Sequence, residues 1–332
     1  MPETDPAHQA TAHFHIRYDD LTQHAHVKQV TLPMVLGRVC FETLWVKHPL
    51  FQTRKQGIAP ILSRLVLESE PVAVSFGSPL EGRGRIEIAH EPAADGGSSA
   101  LFMNGFADIY ALPSRRDPNV DASTRQLVRI GRAFGEHVLT KPFGPPAERK
   151  VLRFDVPGQP AVPSAVHHRL RVQDNARLPE GAQPLDLAFS PDEAPWSFGL
   201  IHTDMNQHVN SLVYARMFEE AAVRRAARHG HNRGLIAHKL SLCYRKPSFA
   251  GETLTCMLQG YEQDGAFGAI GYLAPAGTPL ERANCSFQLQ FRSMGCAPTD
   301  ASQAVERIVT VAAARSGAQG GPLARSAVAA RV

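Results

Sequence analysis

The sequence has little cysteine, only five residues in 332, and no two of them form a Cys-x-x-Cys pair. An odd number of scattered thiols does not make a disulfide framework, and the lack of paired cysteines argues against a structural zinc site. The histidines also lack the i, i+4 helical spacing of a typical metal site, so we expect no metal and no cofactor. Reduced, mostly buried thiols are typical of cytoplasmic proteins, so we expect a cytoplasmic location.

Long apolar runs are also absent. No run reaches the roughly 18 residues that a transmembrane helix needs, so we expect no membrane span. Residues 1–14 are polar and lack the apolar core of a signal peptide. The composition, 43% hydrophobic and 20% charged, is that of an ordinary globular protein.

A strong charge of either sign is missing too, since the net charge is only +4. No basic stripe is interleaved with aromatic residues, so we expect no nucleic-acid partner. Part of the basic excess lies in two short clusters, Arg115-Arg116 and Arg224-Arg225. Such clusters fit either a solvated basic face or a surface that attracts an acidic partner or phosphate groups.

The length of the chain, 332 residues, is large for one average domain and fits two. We expect an α+β protein with two modules joined by a proline-rich region. The predicted segments are a polar leader (1–12), an N-terminal module (13–112), a linker region with some structure (113–195), a C-terminal module (196–295) and a mostly disordered tail (296–332).

The C-terminal module has the clearer pattern. Residues 212–228 contain no Gly or Pro and predict a long helix, which Asn210 or Ser211 can cap. Four segments with alternating apolar residues follow, and they predict a consecutive antiparallel meander with the helix on one face. These strand candidates are residues 239–245, 253–259, 267–273 and 282–291.

The N-terminal module repeats this order less clearly. Residues 31–48 predict a helix with Pro33 in its first turn, and Pro49 ends it. Residues 125–139 also predict a helix, although Gly131 and Gly135 weaken the pattern. The strand candidates are residues 61–68, 72–76, 83–89 and 100–110.

The segment before the C-terminal helix carries Asp204, Asn206 and His208 at alternate positions. In an extended loop, residues two apart point the same way, so all three side chains can face one cleft. A carboxylate there can act as a nucleophile or as the base that activates water. The start of the helix offers free N–H groups to an oxygen that gains negative charge. The alternative role is structural, because Asx residues before a helix are usually caps.

A shorter copy of this segment stands before the N-terminal helix. Asp20-Leu-Thr-Gln-His24 matches Asp204-Met-Asn-Gln-His208 at three of five positions, which favours duplication of one module. Asp20 and His24 are therefore a candidate second site. It is a diverged one, because Thr22 stands where the motif has its Asn.

The run Asp204-Met-Asn-Gln-His-Val-Asn210, followed by Tyr214 and Glu219, resembles the motif of the hotdog-fold thioesterases. It is most similar to the acyl-ACP thioesterases and also resembles the 4-hydroxybenzoyl-CoA type of acyl-CoA thioesterase. The resemblance implies an α+β fold of two tandem hotdog modules, each a long helix packed on an antiparallel sheet.

The resemblance also implies roles for these residues. Asp204 would be the base or nucleophile, while Asn206 and His208 would polarise the thioester or orient the water. The supporting residues would be Asn210, Tyr214 and Glu219.

Two departures from the family pattern bear on the mechanism. Ser211 replaces a second Asn, and Pro247 and Ser248 stand where the acyl-ACP thioesterases carry a Glu-Cys pair with a catalytic Glu. The resemblance therefore implies a hydrolase that relies on Asp204 and acts on acyl-CoA or acyl-ACP in fatty acid metabolism.

Two other functions stay open for the same fold. One is a dehydratase or hydratase that would combine Asp204 with His24 or His26, and the other is a non-catalytic acyl-thioester binding protein. Each chain would form a pseudo-dimer of its two modules, which allows a homo-oligomer of pseudo-dimers.

Overall fold

The N-terminal module is an antiparallel sheet curved around one helix. The computed structural model describes residues 8–114, 126–231 and 234–293. Within them the sheet of this module has the order β1-β3-β4-β5-β2. The strands are β1 (Gln9–His15), β2 (Ala59–Ser69), β3 (Pro79–Pro92), β4 (Ser98–Ala111) and β5 (Val128–Thr140).

The helix of this module spans residues 33–47 and is called the N-terminal helix below. It follows a 3-10 turn at Gln29–Thr31 and has Pro33 at its first position, as predicted. It consists of α1 (Pro33–Val35), a π-helical segment (Leu36–Leu44) and a 3-10 turn (Trp45–Lys47). His48 then adopts an extended backbone, because the following Pro49 disfavours the helical conformation. A further 3-10 helix spans Pro49–Gln56.

The C-terminal module has the same order of elements. Its helix α3 (Ser211–Arg228) is followed by four strands in the sheet order β10-β13-β12-β11. The predicted helix is confirmed, and the alternation of apolar residues places one face of each strand against α3. The predicted consecutive meander holds for the last three strands only, because the first strand after α3 pairs with the last one rather than with the second. The strands are β10 (Leu235–Tyr244), β11 (Thr253–Gln263), β12 (Ala266–Ala274) and β13 (Cys285–Ser293).

The two modules share one continuous sheet. Strand β2 pairs antiparallel with β10, and Leu65 lies opposite Leu242 while Leu67 lies opposite Leu240. All four leucines are buried in one hydrophobic core that extends through both modules. The protein is therefore an α+β pseudo-dimer of two tandem hotdog modules, and the described residues up to Ser293 form one compact unit.

The segment between the modules runs along the sheet. It contributes β6 (Ala165–Val166) beside β3 and the short helix α2 (Val172–Asn175). Three short strands then pair with β11, as β1 pairs with β3 in the other module. They are β7 (Gln183–Pro184), β8 (Ser190–Pro191) and β9 (Trp196–Ser197).

Four predictions about the first half of the chain are wrong. Residues 72–76 form no strand, since Val74 makes only an isolated bridge with Pro113. Residues 128–140 form β5 rather than a helix, and Gly131 and Gly135 lie on the face of β5 that the N-terminal helix contacts. The N-terminal module therefore extends to Thr140, beyond the predicted boundary at 112. Strand β1 begins at Gln9, inside the predicted leader. The predicted tail, Arg115-Arg116 and Cys296 lie outside the described residues.

The cluster Arg224-Arg225 is not a solvated basic face. Arg224 pairs with Asp192 at 2.5 Å, and Arg225, whose side chain is 4% exposed, pairs with Asp186 at 2.8 Å. Burial opposes ionisation of Asp186, but its hydrogen bonds from Gly260 and Arg225 prevail and hold its pKa below the usual range. These ion pairs fix the segment between the modules to α3.

The described residues also bear on the predictions about thiols, metal sites and membrane spans. Four cysteines are buried free thiols, as predicted. No group of three or more His, Cys, Asp or Glu side chains in the described part of the chain is arranged to hold a metal ion. Nor is any helix there long and apolar enough to cross a membrane.

Gly271 on β12 should be intolerant of even one methyl group. A Cβ at this position would overlap the carbonyl oxygen of Met257 and the ring of Phe287, which stacks on Phe218 of α3. We expect Gly271→Ala to lower the free energy of unfolding by about 3 kcal/mol, measured by urea denaturation. Gly37→Ala is the matched control, since open space surrounds Gly37 and Ala favours a helix. Equal stability of the two variants would contradict this prediction.

His137 should make the fold sensitive to acid. Its ring is buried against Phe41 at 4.8 Å between centroids, and burial lowers the pKa of His137 to about 4. An unfolded histidine takes up a proton near pH 6.5, so the unfolded chain binds more protons than the folded chain between about pH 6.5 and 4. Stability linked to His137 is thus present above this window and is lost as the pH falls through it.

We expect His137→Phe to reduce this loss by about 3 kcal/mol at pH 4 relative to pH 7. The measurement is urea unfolding of wild type and variant at pH 7, 5 and 4. His13→Gln, which changes an exposed histidine of β1, serves as the control. Parallel stability curves for wild type and His137→Phe would rule out this role.

Candidate active site

A short closed loop, residues 203–209, carries the predicted site residues. It follows a 3-10 turn at Leu200–His202 and closes through a bridge between Thr203 and Val209. The Asp204 N–H donates to the His208 carbonyl oxygen at 3.1 Å, and the chain turns at Gln207 with a positive φ of 64°. We call these residues the C-terminal motif loop.

The Asp204 carboxylate lies at the centre of this loop. Its Oδ1 accepts the Asn206 N–H at 2.9 Å, and its Oδ2 accepts the Asn210 side-chain amide at 3.3 Å. The His208 Nδ1 lies 4.0 Å from Oδ1. The loop thus brings Asp204, His208 and Asn210 together, while Asn206 contributes its backbone and exposes its side chain.

The start of α3 lies directly behind the loop. Asn210 is the N-cap, because its Oδ1 accepts the Leu212 N–H at 2.9 Å, and this confirms the predicted cap. The Ser211 N–H has no hydrogen-bond partner among the described residues. It is therefore available to an oxygen that carries negative charge, at the positive end of the helix dipole.

Tyr214 supports the loop from inside. Its hydroxyl oxygen accepts the Ser248 N–H at 3.1 Å, and the Ser248 carbonyl accepts the Val209 N–H at 2.8 Å. Burial raises the pKa of Tyr214 to about 12, so this phenol stays neutral. Ser248 is itself buried and accepts a hydrogen bond from Asn284 at 3.0 Å. Ser248, in the segment after β10, thus braces the loop.

A cleft of about 970 Å³ lies between α3 and the segment that precedes the N-terminal helix. One wall is a single face of α3 that begins at its N-cap. The other wall carries Arg17, Lys28, Thr31 and Met34. Asp204 does not line this cleft itself, but it accepts a hydrogen bond from Asn210, which does. The residues of the helix wall include Asn210, Leu212, Arg216, Glu219 and Val223.

Glu219 is the unusual acid of this wall. Its side chain is partly buried and makes no hydrogen bond or ion pair within the part of the chain that the structure describes. Burial raises the pKa of Glu219 above its usual range, and the positive charge of Lys28 opposes the shift. The sequence predicts Glu219 among the supporting residues. It does not predict that Lys28 lies opposite, because Lys28 belongs to the N-terminal module.

The N-terminal counterpart of the motif loop has a different register from the predicted one. It closes through a bridge between Leu21 and Val27, and its turn has a positive φ of 61° at Ala25. The Thr22 N–H donates to the His26 carbonyl at 2.8 Å. These features match those of the C-terminal motif loop with Thr22 in the place of Asp204.

The predicted equivalence of Asp20 and Asp204 is therefore displaced by two residues. Asp20 occupies the position of His202, and its carboxylate binds Arg17 at 3.0 Å and Thr31 at 3.1 Å. Burial opposes ionisation of Asp20, but these hydrogen bonds prevail and hold its pKa below the usual range. His24 occupies the position of Asn206. This loop therefore has a hydroxyl where the C-terminal loop has a carboxylate.

Comparisons with known proteins agree with this architecture. No protein-family model matches the chain, and no curated protein matches its sequence. An acyl-ACP thioesterase from Bacteroides thetaiotaomicron superposes with a TM-score of 0.54 at 13% identity, over 86% of this chain and 98% of that chain. The 12:0-ACP thioesterase from Umbellularia californica gives 0.54 at 12%, over 86% and 94%. At these identities the likeness shows the shared fold.

Proposed function

We propose that this protein hydrolyses acyl thioesters carried by CoA or by an acyl carrier protein. The observation that carries the proposal is the C-terminal motif loop, which holds the Asp204 carboxylate and the His208 imidazole beside the unpaired Ser211 N–H. A base, a polar ring and an oxyanion donor at the start of one helix are the groups that thioester hydrolysis needs.

In the proposed reaction Asp204 accepts a proton from water while the water oxygen attacks the thioester carbonyl carbon. The carbonyl oxygen gains negative charge and accepts a hydrogen bond from the Ser211 N–H. The C–S bond then breaks, and the departing thiolate takes the proton from the Asp204 carboxyl. The products are a free thiol and a carboxylic acid. His208 orients the water, and direct attack by Asp204 is the alternative first step.

Asn210 links the reaction to the fold. It donates to Asp204 through its amide and accepts from Leu212 through its oxygen, so one side chain orients the base and caps the helix. The N-terminal loop has Thr22 at the position of Asp204 and therefore offers no carboxylate there. We therefore propose that the C-terminal loop supplies most of the activity.

The proposal is tested with a panel of saturated and enoyl-CoA substrates, following free thiol and the enoyl double bond together. Release of thiol from saturated substrates is the expected result. A dehydratase or hydratase would change the double bond without releasing thiol, and a binding protein would do neither. Either of these outcomes would overturn the proposed hydrolysis.

A further inference from the structure

The cleft along α3, called the track below, begins at the N-cap of the helix, next to the C-terminal motif loop. Asn210 and Leu212 line it at the start of α3, and Arg216, Glu219 and Val223 follow at intervals of three or four residues. Residues at this spacing lie on one face of a helix. At 1.5 Å per residue, Glu219 stands about 12 Å along the helix from Ser211.

The walls of this track are mixed, since charged and polar side chains alternate with apolar ones such as Met34 and Leu212. Lys28 and Thr31 face it from one side, and Arg216 and Glu219 face it from the other. Burying hydrocarbon against such groups would remove their hydration without replacing their hydrogen bonds. A ligand with its own hydrogen-bonding groups is the better match.

Glu219 indicates which polar group such a ligand should carry. It is a partly buried carboxylate without a hydrogen-bond partner in the described residues, and a carboxylate in that position is stabilised by a donor. The neighbouring Glu220 differs, because its side chain is 71% exposed and lies 4.0 Å from Arg224. The ligand should therefore present a hydroxyl or N–H group at Glu219.

The geometry points to the pantetheine arm of the substrate, and this inference rests on the proposed thioester hydrolysis. We propose that the arm lies in the cleft along α3 and that its hydroxyl group donates a hydrogen bond to Glu219. The arm is a polar chain with two amides, and its hydroxyl-bearing carbon is about nine bonds, or about 11 Å when extended, from the sulfur. This length agrees with the distance of about 12 Å from Ser211 to Glu219 along α3.

The next turn of α3 also fits this arm. The hydroxyl-bearing carbon of pantetheine is attached to a carbon with two methyl groups, and Val223 offers an apolar surface one turn beyond Glu219. Both carriers, CoA and acyl carrier protein, present the same arm. Glu219 is therefore a binding residue for the carrier end of the substrate and takes no part in the proton transfer at Asp204.

The test compares two thioesters of the same acyl group, one on pantetheine and one on N-acetylcysteamine, which ends after the first amide. Glu219→Ala should raise KM for the pantetheine thioester about tenfold or more, because a hydrogen bond to a charged group is lost, and leave kcat nearly unchanged. The N-acetylcysteamine thioester should be hydrolysed as by wild type. Glu219→Gln retains an acceptor and should restore part of the loss.

Glu42→Ala is the matched control, since Glu42 is an exposed carboxylate on the N-terminal helix. Equal losses on both substrates would place Glu219 at the acyl group or the reaction centre, and no loss on either would remove it from the site. Both results overturn the arm assignment while leaving thioester hydrolysis in place.

Calorimetric binding of pantetheine separates the two proposals further. If wild type hydrolyses neither thioester but binds pantetheine more tightly than Glu219→Ala does, the arm site stands and the proposed hydrolysis fails. If wild type neither binds pantetheine nor hydrolyses its thioesters, both fail.

Discussion

Asp204→Asn should lower kcat for thioester hydrolysis by about 10² or more, because a carboxamide cannot accept the proton of the attacking water. The substitution keeps the size of the side chain and an oxygen that can accept either the Asn206 N–H or the Asn210 amide. KM should change little, since Asp204 acts on the attacking water and does not hold the rest of the substrate. The measurement is initial thiol release over a range of substrate concentrations.

Asp264→Asn provides the control for this substitution. Asp264 is exposed in the turn between β11 and β12 and has a positive φ of 53°, a conformation that Asn tolerates well. Both variants should retain the wild-type circular dichroism spectrum. Normal turnover by a folded Asp204→Asn protein would remove Asp204 from the mechanism, even if thioester hydrolysis itself were established.

The two loops should differ in importance when their equivalent positions are changed in pairs. Asp204→Ala combined with His208→Ala should abolish turnover, because the base and the adjacent ring are both removed. Thr22→Ala combined with His26→Ala changes the structurally equivalent positions of the N-terminal loop. It should cost less than about tenfold in kcat/KM, or under about 1.4 kcal/mol of transition-state stabilisation.

The N-terminal pair needs a check on folding, because His26 is buried and Thr22 accepts hydrogen bonds from the His24 and His26 N–H groups. The melting temperature of each double variant gives that check. His24→Ala is a milder change in the same loop, since its side chain is only partly buried. If the N-terminal changes reduce turnover more than the C-terminal pair, the dominant site belongs to the first module.

Local patterns in the sequence determined most of the C-terminal module. The alternation along β13 and the absence of Gly and Pro from α3 are short-range signals that depend on neighbours two to four residues apart. The capping role of Asn210 was visible for the same reason, since its oxygen bonds a backbone group two residues away. The hotdog fold followed from these elements and from the resemblance carried by the motif.

Tertiary structure decided the features that depend on long-range contacts. Gly131 and Gly135 lie in a strand because β5 pairs with β2 and β4, and a helical period in their neighbours cannot reveal that pairing. Arg224 and Arg225 look like a basic surface in sequence, yet their partners Asp192 and Asp186 lie 32 and 39 residues away.

The alignment of the two motif loops also differs between sequence and structure. Matching identical residues in the sequence aligns Asp20 with Asp204, since a comparison of residue types contains no information about backbone hydrogen bonds. The backbone bonds that close each loop pair Thr22 with Asp204 and leave Asp20 to Arg17 and Thr31. Likewise, the sequence alone named the acid Glu219, but its cleft exists only because the N-terminal module supplies the opposite wall. The sequence was sufficient to predict the candidate site residues within one loop, because they are close together in the chain. The contacts of a side chain across the module interface depend on the tertiary structure.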